Sequence, residues 1–335
     1  MTATFEAKPS PTPQLPSLEE LEAAAEIIRP ILPPTPQYSW PLLCRRTGTE
    51  VWVKHENHLP VGAFKVRGGL VYINDLKRRQ PDCRGIVSAT RGNHGQSLAF
   101  ACARRGLPCV IVVPHGNSRE KNEAMRALGA DLVEHGRDFQ DAVDHLDTLV
   151  AERGLERVPS FHPLLVQGVG TYSLEFLRAR PDLETVYVPI GLGSGICGMI
   201  AAREALGLTT EIVGVVSTGA PCYALSFAQG RPISTNQAAT ELADGMACRT
   251  PVAEAVAIIN AYVDRIVEVT DEEIAHAMRA FFADTHNVAE GAGAAGLAAL
   301  MQEQERQRGR KVGVVMTGGN VDATMFGEVL TDGKP

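Results

Sequence analysis

Apolar residues along this chain arrive in short unbroken runs: VWV (51–53), GIVSA (85–89), CVIVV (109–113), TVYVPI (185–190), EIVGVV (211–216), RIVEV (265–269) and KVGVVM (311–316). Rich in β-branched residues and too short for helices, they predict strands buried on both faces. Between them the spacing becomes helical. SLEE at 17–20 matches a capping box, and Leu18, Leu21, Ala25 and Ile28 share one face of the helix it opens, which the prolines at 30, 33, 34 and 36 end. A helix is predicted over 95–105, stopping at Gly106. Another is predicted over 138–153, with Phe139, Ala142, Val143, Leu146, Leu149 and Val150 on one face and Gly154 as its C-cap. TDEE at 270–273 is a second capping box, opening a helix that runs to about residue 282.

Buried strands alternating with helices predict an α/β fold built on parallel sheet. Ligands of such sheets bind beyond the carboxyl ends of the strands, so the loops there are where chemistry is sought. The first sixteen residues are rich in proline and are expected to be mobile. No low-complexity linker and no internal repeat follows, so a second lobe is expected to be inserted within the first rather than appended.

Composition narrows the function classes. With 335 residues, 44% of them hydrophobic, the chain is long enough for two lobes. A net charge of -7 without a basic run argues against nucleic acid and anionic membrane surfaces as partners. No apolar stretch approaches a membrane span, and the N-terminus lacks the pattern of a secretory signal. The seven cysteines are scattered and form no CxxC pair, which points to reduced thiols and a cytoplasmic location.

Two segments carry candidate chemistry. GLGSGICG (191–198) follows a predicted strand and opens a helix, so Gly193, Gly195 and Gly198 spell GxGxxG. Glycines there let backbone N–H groups approach a phosphate at a helix start. A dinucleotide would need an acidic residue at the end of the next strand, and EIVGVV ends instead in Ser217 and Thr218. NADP stays open on those hydroxyls, as does a tight turn with no ligand, but a monophosphate held by Gly191, Leu192, Gly193, Ser194 and Gly195 fits better. The second segment is GAFKVRGG (62–69), which places Lys65 between Phe64 and Val66 with glycines on both sides. Desolvation lowers a lysine's pKa towards a nucleophilic amine, and the neighbouring glycines allow a flat ring to approach. A phosphate cradle with such a lysine is what pyridoxal 5'-phosphate requires. Without the glycine loop, Lys65 would read instead as an ordinary snorkelling lysine.

Taken in order, KHENHLPVGAFKVRGG (54–69), SATRGNHGQ (88–96), VQGVGT (166–171), GLGSGICG and MTGGNVD (316–322) resemble the motifs of the fold-type II pyridoxal-phosphate family of threonine and serine dehydratases, which includes serine racemase. The resemblance spans most of the chain. It implies a tryptophan-synthase-β-like fold with two open, twisted, mostly parallel sheets and helices on both faces. Residues 17–80 and 161–335 would form a large cofactor-binding domain and 81–160 a small inserted one. Lys65 would be the Schiff-base lysine and general base, and Phe64 would offer its ring to the pyridine. Asn93 would bond the cofactor's phenolic oxygen, and Thr90 with the backbone around Gly92 and His94 would grip the substrate carboxylate. The His94 ring itself is read as packing or bonding to its neighbours. Thr317 falls where the family places a hydroxyl facing the pyridine nitrogen. That arrangement leaves the ring neutral, which favours β-elimination over transamination. Glu290 resembles a family glutamate near the cofactor, though an acid stabilised by a helix dipole is an equal reading.

The implied reaction removes water from a β-hydroxy-α-amino acid of the threonine or serine type, or a bulkier analogue such as phenylserine, giving a 2-keto acid and ammonia. β-Replacement, racemisation, another ammonia-lyase reaction, an NADP-dependent oxidoreductase and a non-catalytic amino-acid-binding protein are the alternatives. Three departures bear on this. Ala63 stands where a serine is usual. Arg91 replaces the serine with which serine racemase reprotonates substrate, which disfavours racemisation and leaves Arg91 to reach an anion or to be a surface charge. The stretch STGAPCYALSF (217–227) lacks the carboxylates of metal-dependent members, so no divalent metal is expected there, while backbone carbonyls leave a monovalent ion open, and HENH (55–58) lacks zinc-ligand spacing. The chain ends soon after MTGGNVD, so no appended regulatory domain is expected and a catabolic role follows. Family habit makes a homodimer the expected partner state.

Overall fold

The computed structural model describes residues 14–236 and 238–331; the proline-rich start expected to be mobile lies, up to residue 13, outside the described residues. In chain order the strands are β1 (Gln37–Ser39), β2 (Glu50–His55), β3 (Ile86–Ala89), β4 (Cys109–Val113), β5 (Asp131–Glu134), β6 (Glu156–Arg157), β7 (Thr185–Pro189), β8 (Glu211–Ser217), β9 (Arg265–Val269) and β10 (Lys311–Met316). They form a six-stranded sheet ordered β1-β2-β10-β7-β8-β9 and a four-stranded sheet ordered β5-β4-β3-β6. Every pairing is parallel except β1 with β2. This is an α/β fold with two mostly parallel sheets.

Every apolar run read from the sequence becomes a strand. The strands it missed, β1, β5 and β6, all sit at sheet edges, where polar residues are tolerated and the apolar signal fades. In the larger sheet, alternate residues feed opposite faces. Val186, Val188, Ile212 and Val216 join one buried cluster. Tyr187, Val213, Val215, Val312 and Val314 join the other. No described helix is long and apolar enough to cross a membrane.

Helix ends follow local chemistry. Both capping boxes form, at Ser17 with Glu20 and at Thr270 with Glu273. Gly154 is the left-handed C-cap of its helix, whereas the helix expected to stop at Gly106 already ends at Ala103, with Gly106 left-handed in the turn beyond. Two further expectations are corrected. Leu18 is 37% exposed, because it occupies the water-facing first position of its helix, and Ala24 takes its place on the buried face. The single helix over 138–153 is two, Phe139–Asp144 and Leu146–Arg153. At the break the His145 ring stacks on His135 at 3.8 Å, a contact from outside the helix that apolar periodicity does not encode.

Close backbone packing sets the site. The helices Lys65–Arg79, Pro163–Ala179 and Ser194–Ala205 lie side by side. A Cβ on Gly168 would come within 2.6 Å of Gly68 Cα, and one on Gly198 within 2.9 Å of Gly170 Cα. The third glycine of GxGxxG therefore serves helix packing. These contacts bring two helix starts, at Lys65 and Ser194, to the same cleft.

Candidate active site

Loops after β3, β7 and β10 open into one cavity of about 360 Å³. Every candidate named from the sequence lines it: Phe64, Lys65, Thr90, Arg91, Gly92, Asn93, His94, Gly191, Leu192, Gly193, Ser194, Gly195, Glu290 and Thr317. Helices begin at Lys65, Asn93, Ser194 and Gly291, so several positive dipole ends face this space.

Lys65 is half-buried and directs its amine into the cavity, where Nζ donates to Ser194 Oγ at 3.0 Å. Burial lowers the amine to about 8. The Phe64 ring sits 5.2 Å from that amine and meets Tyr172 edge-on. Ser97 Oγ donates to the Lys65 carbonyl at 2.6 Å, tying the lysine's turn to the helix Asn93–Ala103.

In the glycine loop, Gly193 has φ +97° and no side chain caps the helix it precedes. A Cβ on Gly191 would lie 2.4 Å from Gly245 O. The first N–H groups of Ser194–Ala205 thus face the cavity without helical partners, which suits a phosphate monoester. Thr317 is buried, with its carbonyl fixed by Phe64 N at 3.0 Å.

Across the cleft, Thr90 Oγ1 accepts from Gly92 N at 3.0 Å and Gly95 N at 3.3 Å, shaping the loop that carries Arg91. His94 is buried, and burial together with Lys65 pushes its ring down to about 3, so it stays neutral. Asn93 Nδ2 donates to Glu290 Oε1 at 2.6 Å, while Asn93 Oδ1 accepts from Asn320 Nδ2 at 2.8 Å. Glu290 is the N-cap residue of Gly291–Gln302, yet its side chain makes no capping bond. It turns to the cavity instead, where it lines the wall beside Asn93. Burial pushes its carboxyl above the ordinary value, with Lys121 pulling the other way.

Sequence reasoning missed Lys121, Asp244 and the role of Asn320. Lys121 Nζ donates to Asp244 Oδ2 at 2.6 Å and lies 3.5 Å from Glu290 Oε2. Burial alone would lower this amine; Glu290 and Asp244 overcome that and hold it above its ordinary value. SREKNEAM (118–125) reads as a solvated helix face, so nothing local marks Lys121 as buried. The histidines of HENH have other duties: Trp40 Nε1 donates to His55 Nε2 at 3.0 Å, and His58 Nε2 bonds Asn287 Oδ1 at 2.7 Å.

The family of pyridoxal-phosphate dependent enzymes matches residues 28–318. The chain belongs to that family. It is 33% identical over 318 residues to the L-threonine ammonia-lyase of Thermotoga maritima, covering 95% of this chain and 79% of that one. Among solved structures it resembles a pyridoxal 5'-phosphate-dependent aspartate racemase with a TM-score of 0.88 and 28% identity, covering 94% of this chain and 99% of that one. Maize serine racemase superposes with a TM-score of 0.88 and 27% identity, over 95% of this chain and 98% of its own. The fold is that of fold-type II enzymes, and the chain is a pyridoxal-phosphate-dependent enzyme.

Proposed function

We propose that this enzyme removes water from a β-hydroxy-α-amino acid, of the threonine or serine type or a bulkier analogue, and releases a 2-keto acid and ammonia. The observation that carries the reading is Lys65: an amine lowered to about 8, hydrogen-bonded at 3.0 Å to the first residue of a glycine-lined helix start. The names of curated relatives, such as the L-threonine ammonia-lyase above, support the same chemistry.

The residues divide the work as follows. The backbone of Gly191, Leu192, Gly193, Ser194 and Gly195 would hold the cofactor's phosphate, Asn93 its phenolic oxygen and Thr317 its ring nitrogen. Bound pyridoxal phosphate supplies an aldehyde that captures the substrate amine and a π-system that takes up negative charge from Cα. Thr90 and the amides of Gly92 and His94 hold the substrate α-carboxylate at a helix start. Lys65 Nζ takes the α-proton as general base, and Ser194 Oγ is the neighbour to which that proton can pass towards the departing hydroxyl. Glu290 fixes the Asn93 amide. The enamine left after water departs tautomerises, and one water hydrolyses it to the 2-keto acid and ammonium. We assign residues 17–80 and 161–335 to the cofactor lobe and 81–160 to an inserted lobe, since β3 to β6 all fall within 86–157.

The test is an absorption spectrum of the purified protein before and after a panel of β-hydroxy amino acids, with keto acid assayed alongside. A visible cofactor band that shifts, with keto acid released, is expected. In Lys65→Ala turnover should fall by at least about a thousandfold. Appreciable activity in that variant would overturn the assignment.

A further inference from the structure

The cavity holds a cation whose purpose the reaction above leaves open. Arg91 sits on the short turn between β3 and the helix Asn93–Ala103. That turn is fixed, since Thr90 N donates to Val112 O at 3.0 Å and Gly92 N to Thr90 Oγ1 at 3.0 Å. The Arg91 side chain lines the cavity, and its buried Nε has no hydrogen-bond partner. The other cationic side chains of the wall are engaged. Lys121 is held by Asp244 and Glu290, Arg249 lies 3.2 Å from Asp138, and Lys65 bonds Ser194. Among the described residues, Arg91 enters no ion pair.

A guanidinium keeps its charge at any working pH, and a buried N–H left unpaired costs about 1–3 kcal/mol. Its planar fork matches a carboxylate through two parallel bonds. The α-carboxylate already has its donors in the amides that begin the next helix. The wall also carries Gln140 and Asn236, which suit a polar substituent. A methyl or phenyl group on Cβ would leave the arginine orphaned.

We propose that Arg91 binds a second carboxylate of the substrate, so that β-hydroxy dicarboxylic α-amino acids, with 3-hydroxyaspartate the smallest, are the preferred substrates. This rests on the dehydratase reading. The Cα–H and Cβ–OH bonds break, water leaves, and hydrolysis of the enamine returns one water and releases ammonium. The product is a 2-oxo dicarboxylate, and no oxidant or reductant enters.

The test compares holoenzyme kcat/KM for 3-hydroxyaspartate, threonine, serine and phenylserine. It is paired with binding of aspartate, which has no hydroxyl to lose, followed through the cofactor's absorption. Wild type should prefer 3-hydroxyaspartate. In Arg91→Gln its kcat/KM relative to threonine should fall by about 100-fold, and aspartate binding should weaken by a similar factor. Arg91→Lys, which keeps charge without the fork, should fall between the two and guards against a folding defect in the glutamine variant. A wild-type preference for threonine overturns the proposal. So does an equal loss for both substrates in Arg91→Gln, which would place the arginine on the shared α-carboxylate; in both cases the dehydratase reading survives. A protein without cofactor absorption or keto acid from any substrate removes that reading, and the Arg91 assignment with it.

Discussion

Two clusters of buried charge flank the Lys65 helix, and they differ in one respect. Behind it, Arg67 donates to Glu56 at 2.7 and 3.0 Å and to Glu175 at 2.7 and 3.0 Å. Lys54 completes the set with Glu175 at 2.6 Å and Thr35 O at 2.8 Å, and Thr35 Oγ1 donates to Glu56 at 2.6 Å. In front, around the cavity, Glu290 Oε2 and Arg91 Nε are buried without hydrogen bonds. A satisfied network fixes one shape; orphaned groups keep free capacity for a ligand. The comparison separates a frame that holds the lysine helix from a site that is incomplete until something binds.

Removing one member of the frame should show the largest effect. Arg67→Met leaves the buried Glu56 without its ion-pair partner and Glu175 with Lys54 alone, and is expected to cost about 3–5 kcal/mol in denaturant unfolding. A loss under about 1 kcal/mol would mean the frame is not needed for the fold. On the cavity side, Glu290→Gln should invert this pattern. Turnover falls roughly 100-fold while stability stays within about 1 kcal/mol, because the burial that opposes the Glu290 charge and the Lys121 ion pair that favours it are lost together.

The two carboxylates should also respond oppositely to pH. Burial alone would raise Glu175, and Arg67 with Lys54 overcome it and hold it below its ordinary value. Its contribution is therefore present above the unfolded value and lost as pH falls through the folded one. Glu290 is raised, so its contribution is present at low pH and lost as pH rises through its folded value. Stability measured against pH for Glu175→Gln and Glu290→Gln should diverge from wild type in opposite directions, and parallel curves would erase the distinction.

Smaller effects sharpen the boundary of the site. The rate at which the apo chain captures pyridoxal phosphate should rise with pH and level off above about 9, since Lys65 is lowered to about 8 and its neutral form reacts. A rise continuing past about 10 would mean the amine is not desolvated. At the cavity mouth, Arg249 and Asp138 are both partly exposed. Asp138→Ala should change stability by less than about 1 kcal/mol beyond the loss of its helix cap.

Much of this was legible in the chain. Buried parallel strands leave unbroken Val and Ile runs, which is why VWV and CVIVV predicted their strands, whereas QYS at β1 and ER at β6 left none. Lys65, Asn93 and the glycine loop stand in local contexts that physics restricts to few uses. The break at His145 and the burial of Lys121 depend on residues distant in sequence, so no window could contain them.

By itself the sequence determined the α/β class, both capping boxes and the presence of a glycine-flanked lysine and a glycine-rich helix start, because periodicity, capping and glycine placement act over a few residues. Only the tertiary structure decided that Gly198 packs against Gly170, and that Glu290 turns from its own helix to Asn93. It alone placed Lys121 between two carboxylates and left Arg91 unpaired. Each of these is a balance of burial against partner supply, and partners are supplied by segments that meet only when the chain has folded.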